Sequence, residues 1–271
     1  MKRTIYIINL FIISFLFPLS AQVEPVWDDV VKKMPKEELQ EVNISSSIDG
    51  KIQKAYLYKA KSKKQQPLIV SLHTWSGDYR QNDPLVAEIL ARDWNYIHPN
   101  FRGANNNVEA MCSSKVLSDI EDAISFAIKQ TNANPEEVHI IGVSGGGLAA
   151  LFAYMNVDFD VKSFSAWVPI SDIEAWYWES LGRNQKYAND IIKSLSKDSL
   201  FNKNEALLRS PLYQKFPKEK RKKSDLFLYS GIHDGYIGSV PITHSLNMFN
   251  RLVGDLKYNT SDLEVISSKS K

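Results

Sequence analysis

The amino-acid sequence predicts an α/β protein, with a mostly parallel, doubly wound sheet, helices on both faces and a helical insertion in its carboxyl half. Three observations lead there. Strand-like apolar runs alternate with helix-like stretches from Pro67 to Val253, the pattern of a parallel sheet covered on both sides. Pro67–Leu72 (PLIVSL) is almost continuously apolar, as a strand buried on both faces must be. Glu137–Tyr154 (EVHIIGVSGGGLAALFAY) runs from a short apolar strand, Val138–Ile141, through the turn Gly142-Val143-Ser144-Gly145-Gly146 into an apolar helix.

Composition narrows the class. The chain has 271 residues, enough for one large domain, and its 44% hydrophobic and 11% aromatic content suits a packed core. Net charge is +2; without Lys2 and Arg3, in a segment expected to be removed, 31 basic residues face 31 acidic ones. That balance gives no argument for nucleic acid as a partner. The single cysteine, Cys112, rules out an internal disulfide and a cysteine-based zinc site. No cofactor or metal motif is present.

Taken in order, Met1–Ala21 has basic Lys2 and Arg3, an apolar run over Ile5–Phe17, and small residues ending at Ala21. This is the plan of a secretory signal peptide cleaved after Ala21. The run falls short of the roughly 20 residues a membrane span takes, so no stable anchor is expected after cleavage and the mature chain is expected to be secreted or periplasmic. Gln22–Glu41 reads as a short helix or arm. Val42–Ile48 and Ile52–Lys59 flank Asp49-Gly50, a hairpin signal. Residues 22–66 thus form an arm and hairpin, and 67–271 the main domain. Asp83–Arg92 reads as a helix with Asp83 as N-cap and Pro84 first. Tyr96–His98 is a short strand. Ser114–Gln130 has apolar residues at helical spacing, ended by Asn132–Pro135. Val161–Val168 is another strand. The polar, aromatic-dotted stretch from Ser171, about 171–215, suits a lid of helices. Phe216–Ser224 is a basic run read as a solvated loop, Asp225–Tyr229 (DLFLY) is a strand, and Ser239–Val253 is a helix.

The chemistry centres on Gly-x-Ser-x-Gly between strand and helix, the signature of a nucleophile elbow. Side chains at the flanking glycines would clash, and the tight turn lifts the Ser144 hydroxyl clear of the sheet edge. The Gly145 N–H, at a helix N-terminus, faces any oxygen bound beside it. A serine hydroxyl needs a base and oxyanion donors, which an open α/β sheet supplies from loops at the carboxyl ends of its strands. After Pro67–Leu72, Thr74 or Trp75 can supply a second backbone donor. After Asp225–Tyr229, Asp234 stands where the acid of a triad would orient an imidazole; the same Asp-Gly pair is also ordinary turn chemistry.

On these residues the sequence resembles the α/β-hydrolase fold, and within it the catalytic domain of the prolyl-oligopeptidase-like serine hydrolases. The resemblance is carried by the His73 loop, Asn100-Phe101-Arg102-Gly103, Asp119-Ile120-Glu121-Asp122-Ala123, the Gly142–Gly146 elbow and His233-Asp234-Gly235. It implies a serine hydrolase that cleaves ester or peptide bonds through Ser144, either a peptidase or a carbohydrate esterase. A peptide, a sugar ester and a small ester remain open as substrates, and Trp176 and Trp178 are candidates for stacking on a sugar or for lid packing. The family's catalytic histidine follows one further strand and precedes a last helix. No histidine here follows His244, and only Leu263–Ile266 is strand-like after it. The resemblance therefore places the expected histidine beyond Lys271, with the last strand and helix missing. His73, His98, His139 and His233 fit structural places. Three readings stand: a hydrolase cut short at its carboxyl end, an enzyme using His244 as a substitute base, or a ligand-binding homologue that keeps the elbow.

Overall fold

A computed structural model describes residues 37–198 and 200–254. The expected signal peptide, the arm over residues 22–36 and Leu263–Ile266 lie outside the described residues. So does Lys271, the residue beyond which the family's histidine is expected, and that expectation has no counterpart in the described fold. Among the described residues seven strands form one sheet: β1 (Gln40–Ser45), β2 (Ile52–Tyr58), β3 (Gln66–Leu72), β4 (Asn95–Pro99), β5 (Ala133–Val143), β6 (Ser163–Trp167) and β7 (Asp225–Tyr229). Their spatial order is β1-β2-β4-β3-β5-β6-β7. β1, β2 and β4 pair antiparallel; β4, β3, β5, β6 and β7 pair parallel.

Side-chain alternation along the central strands builds two cores. Leu68, Val70 and Leu72 of β3 and Ile97 of β4 face helices α2 (Ser114–Gln130) and α3 (Gly145–Asn156). Ile69 and Tyr96, one residue out of phase, face Val86 and Ile89 of helix α1 (Leu85–Arg92) on the opposite side. A third cluster lies over the carboxyl ends of the strands. There Trp75, Leu148 and Phe152 pack under α4 (Ile173–Gly182), α5 (Tyr187–Leu195) and α6 (Lys203–Arg209), the helices between β6 and β7. The last described helix is α7 (Thr243–Val253). Among the described residues no helix is long and apolar enough to cross a membrane.

Several boundaries depart from expectation. Asp49-Gly50 is not a two-residue hairpin turn; the link between β1 and β2 spans Ser46–Lys51, because Ser46 and Asp49 are drawn onto Arg102. α1 starts at Leu85 with Pro84, not Asp83, at its N-cap; Asp83, one residue earlier, accepts Leu85 N–H (2.9 Å) on one oxygen and Tyr96 Oη–H (2.7 Å) on the other, which ties it to β4. β5 begins inside the expected break, where Ala133 pairs with Gln66. α7 starts at Thr243 rather than Ser239; the chain over Gly235–Ser239 is bound by Arg183 instead.

Candidate active site

The elbow is as tight as its glycines require. Ser144 sits at φ 55°, ψ −114°, outside the regions L-residues prefer. Its N–H donates to Trp167 O (2.8 Å), and its carbonyl accepts from Leu148 N–H (2.9 Å), opening α3. A β-carbon on Gly142 would stand 2.1 Å from Gly146 O, and one on Gly146 2.2 Å from Leu72 O. Backbone fills both places, so neither position tolerates a side chain.

The oxyanion side of the site is set by the β3 loop. A β-carbon on Gly145 would lie 2.5 Å from both Cα and N of Trp75, so the Trp75 main chain crosses directly over the elbow. The Trp75 carbonyl is held by Asn105 N–H (2.8 Å). Of the two donors named from sequence, Thr74 has its N–H committed to Gln81 Oε1 (2.8 Å), which leaves Trp75 N–H beside Gly145 as the better placed. The Trp75 indole is also fixed: Nε1 donates to Asp190 Oδ2 (3.2 Å), and the ring meets Trp176 edge-on at 4.6 Å.

The two tryptophans named as sugar-stacking candidates separate. Trp176 is fully buried and donates Nε1–H to Ser239 O (3.1 Å), so it is lid core, closed to a sugar. Trp178 is 56% exposed, resting on Tyr177.

Asp234 follows β7 in a tight loop. Its Oδ2 accepts Gly231 N–H (2.6 Å), and its carbonyl accepts Ile242 N–H (3.2 Å). Partial burial raises its pKa, and the Gly231 bond pulls the other way.

The histidines are mostly spoken for. His73 places Nδ1 2.9 Å from Thr74 O and Nε2 2.8 Å from Asn100 O, stacked on Phe101 at 3.9 Å. Burial lowers its pKa to about 4, so the ring is neutral with one proton between two carbonyls. His98 is buried at the end of β4, and burial lowers its pKa too. His139 bonds Ser163 Oγ (2.7 Å) across the β5–β6 pair. His233 lies in the acid loop, where its carbonyl accepts Tyr236 N–H (2.9 Å).

His244, the substitute base named from sequence, is buried and turned elsewhere. Its Nδ1 accepts Ser171 N–H (3.2 Å), which leaves Nε2 to carry the proton toward Glu179 Oε2 (3.0 Å). Both nitrogens are committed, so the ring offers no lone pair to Ser144 in this arrangement. Its spacing in α7 showed a titratable group near the acid loop, but not the Glu179 carboxylate that claims it.

A model of the prolyl oligopeptidase family matches residues 82–269, more than half of the chain. The chain belongs to the prolyl oligopeptidase family. Solved structures share its fold. An acylaminoacyl peptidase from Pyrococcus horikoshii aligns at 18% identity with a TM-score of 0.64, covering 80% of this chain and 35% of that one. Prolyl oligopeptidase B from Galerina marginata aligns at 18% identity with a TM-score of 0.61, covering 81% and 32%. A puromycin-hydrolyzing peptidase of Mycobacterium tuberculosis aligns at 17% identity with a TM-score of 0.60, covering 80% and 34%. The chain thus spans about a third of the length of these structures. No curated protein matches it. Family and fold agree on an α/β-hydrolase sheet.

Sequence reasoning missed several residues that shape this site. Arg183, at the end of α4, reaches three carbonyls of the acid loop, and Asp190 holds Trp75. Neither carries a motif. Their only signal was their position in the stretch read as a lid.

Proposed function

We propose that this member of the prolyl oligopeptidase family is an exported serine hydrolase that cleaves peptide bonds through Ser144. One observation carries the reading: Ser144 is held in a strained conformation between glycines that admit no side chain, with the Gly145 and Trp75 amides beside it. In this reading Ser144 Oγ attacks the scissile carbonyl carbon as a base takes its proton. Gly145 and Trp75 N–H receive the developing oxyanion. The carbon–nitrogen bond breaks as the proton passes to the leaving amine. Water then cleaves the Ser144 ester and returns a proton to Oγ. Asp234 is the acid that orients the base. His73 and His244 each have both ring nitrogens bound elsewhere, so neither takes the Ser144 proton without first giving up a bond.

Peptide substrates are favoured because the solved structures that share the fold include an acylaminoacyl peptidase in complex with Z-Gly-Gly-Phe-chloromethyl ketone, 20% identical with a TM-score of 0.55. They also include prolyl oligopeptidase B bound to a 35mer hydrolysis and macrocyclization substrate, 17% identical with a TM-score of 0.63. Carbohydrate or small esters are the runner-up. Export rests on the basic start, apolar run and small-residue end of Met1–Ala21. The bonds that occupy both ring nitrogens of His73 and of His244 favour a second reading, a ligand-binding homologue that retains the elbow.

A fluorophosphonate probe separates these readings. Labelling of the full chain at Ser144, absent in Ser144→Ala, supports the hydrolase; equal labelling of both proteins rejects Ser144 as the nucleophile. Turnover of an N-blocked peptide anilide and of p-nitrophenyl acetate, side by side, decides between peptide and ester. Binding without labelling or turnover selects the second reading. Amino-terminal sequencing of protein from a secreting host tests export, and retention of Met1 counts against it.

A further inference from the structure

One face of α4 is devoted to the loop that carries Asp234. Trp176, Glu179 and Arg183 recur at three- and four-residue spacing, so they project from one side of the helix. Each ends on the chain between Gly235 and His244. Trp176 Nε1 donates to Ser239 O (3.1 Å), and Glu179 Oε2 accepts from His244 Nε2 (3.0 Å). Arg183 does most. Its Nη1 donates to Gly235 O (2.8 Å) and Gly238 O (3.3 Å), its Nη2 to Ser239 O (2.7 Å), and its Nε to Glu179 O (3.1 Å). A guanidinium presents its donors in a rigid planar fork, so one side chain fixes the relative positions of the carbonyls it binds.

Those carbonyls begin at the residue after Asp234. The Asp234 carboxylate is otherwise held by Gly231 N–H, a bond made inside the same loop, and its carbonyl by Ile242 N–H. Of the loop's apolar side chains, Ile232 and Ile237 are exposed, whereas Val240 is buried with Trp176 in the cluster beneath the lid. Beyond its own backbone bonds, the loop is held to the rest of the fold from the lid, by α4 and by Val240 in the lid core. The same lid holds the oxyanion loop, through Asp190 on Trp75 Nε1 and through the ring contact of Trp176 with Trp75.

We propose that Arg183 is a positioning residue: it clamps the Gly235–Ser239 backbone to the lid and so holds Asp234 where the reaction needs it. The lid and the acid move as one body, and the lid is part of the catalytic scaffold rather than only a cover. This rests on Ser144 and Asp234 acting as described under Proposed function.

The test uses the full chain with Arg183→Gln, Arg183→Lys and Arg183→Ala, each alone and with Asp234→Asn. Amide hydrogen exchange across residues 231–242 reads the loop directly. Arg183→Gln should raise exchange there by on the order of 10-fold, with α2 and α3 unchanged, and Arg183→Lys should restore part of the protection. Fluorophosphonate labelling of Ser144 should slow in its limiting rate, with the probe's half-saturating concentration unmoved. In the Asp234→Asn background Arg183→Gln should add nothing, because a residue acting through Asp234 has no route left. A merely structural role would slow both backgrounds alike. Unchanged exchange at 231–242, or equal slowing in both backgrounds, overturns the proposal. If the parent chain takes no label at Ser144, it is the hydrolase reading that fails; the exchange arm still decides whether Arg183 holds the loop, and unchanged exchange there again overturns the clamp.

Discussion

At the scale of single residues the elbow is a conflict held in place by its neighbours. Ser144 adopts φ 55° because strand β5 and helix α3 fix the backbone on either side. Ser144→Gly removes the clash of a β-carbon in that conformation and should raise stability by about 1 kcal/mol while abolishing fluorophosphonate labelling. Chemical unfolding beside the labelling assay checks both; a loss of stability would mean that Ser144 is not strained. Gly146→Ala does the reverse. Its new methyl group meets Leu72 O at 2.2 Å, and neither strand nor helix can retreat, so a loss of at least about 3 kcal/mol is expected. A soluble Gly146→Ala protein with unchanged unfolding would show that the elbow has room to spare.

At the scale of elements, two arginines anchor what the hydrophobic pattern leaves loose. Arg221 lies in the basic run read from sequence as a solvated loop, yet it is buried. It caps the carboxyl end of α3, donating to Tyr154 O (2.6 Å), Val157 O (2.7 Å) and Ala153 O (3.3 Å), with Phe159 O at 3.3 Å. A cation at that end also meets the negative pole of the helix. Arg221→Ala should cost about 3 kcal/mol, whereas Lys220→Ala, whose partner Asp158 is on the surface, should cost less than about 0.5 kcal/mol. Equal effects in urea unfolding would return Arg221 to the solvated run. Arg102 does the same for the amino-terminal hairpin. It grips Asp119 of α2 (2.6 and 3.0 Å), Asp49 (2.8 and 3.0 Å) and Ser46 Oγ (2.8 Å). Burial pushes the Asp119 carboxyl up even beside this cation, so the pair is worth keeping mainly because either half alone is worse. Arg102→Met should cost about 3–5 kcal/mol, and Arg102→Met with Asp119→Leu clearly less; a double variant no more stable than the single would mean the charges are not coupled.

At the scale of the whole molecule, the buried histidines set a pH response. Burial lowers the pKa of His73 to about 4, and burial also lowers those of His98 and His139, against about 6.5 in an unfolded chain. The unfolded chain therefore binds more protons as pH falls through 6.5. Stability is full above that value and declines toward pH 4, at about 1.4 kcal/mol per pH unit for each histidine that stays neutral in the fold. Unfolded carboxylates titrate near 4, so the range from 6.5 to 5 reports the histidines. Urea unfolding across that range should show the decline, and His73→Asn should flatten it by about one proton's worth. A flat profile in the parent chain would contradict neutral buried rings.

The sequence by itself determined the strands, the elbow and the family. Those features are written in neighbouring residues: apolar runs that match strand and helix periods, and glycines where backbones touch. Ser114–Gln130 and Asp225–Tyr229 took the bounds their patterns specified. Tertiary structure alone decided which polar side chains bind which. His244 faces Glu179 across 65 residues of sequence, Trp75 faces Asp190 across 115, and Arg183 reaches a loop more than 50 residues away. No local period encodes such pairings, because each depends on two elements meeting over the sheet edge. That is why Trp176 could be read as a ligand platform before it was found in the core, and why His244 could be read as a base before both its nitrogens were accounted for.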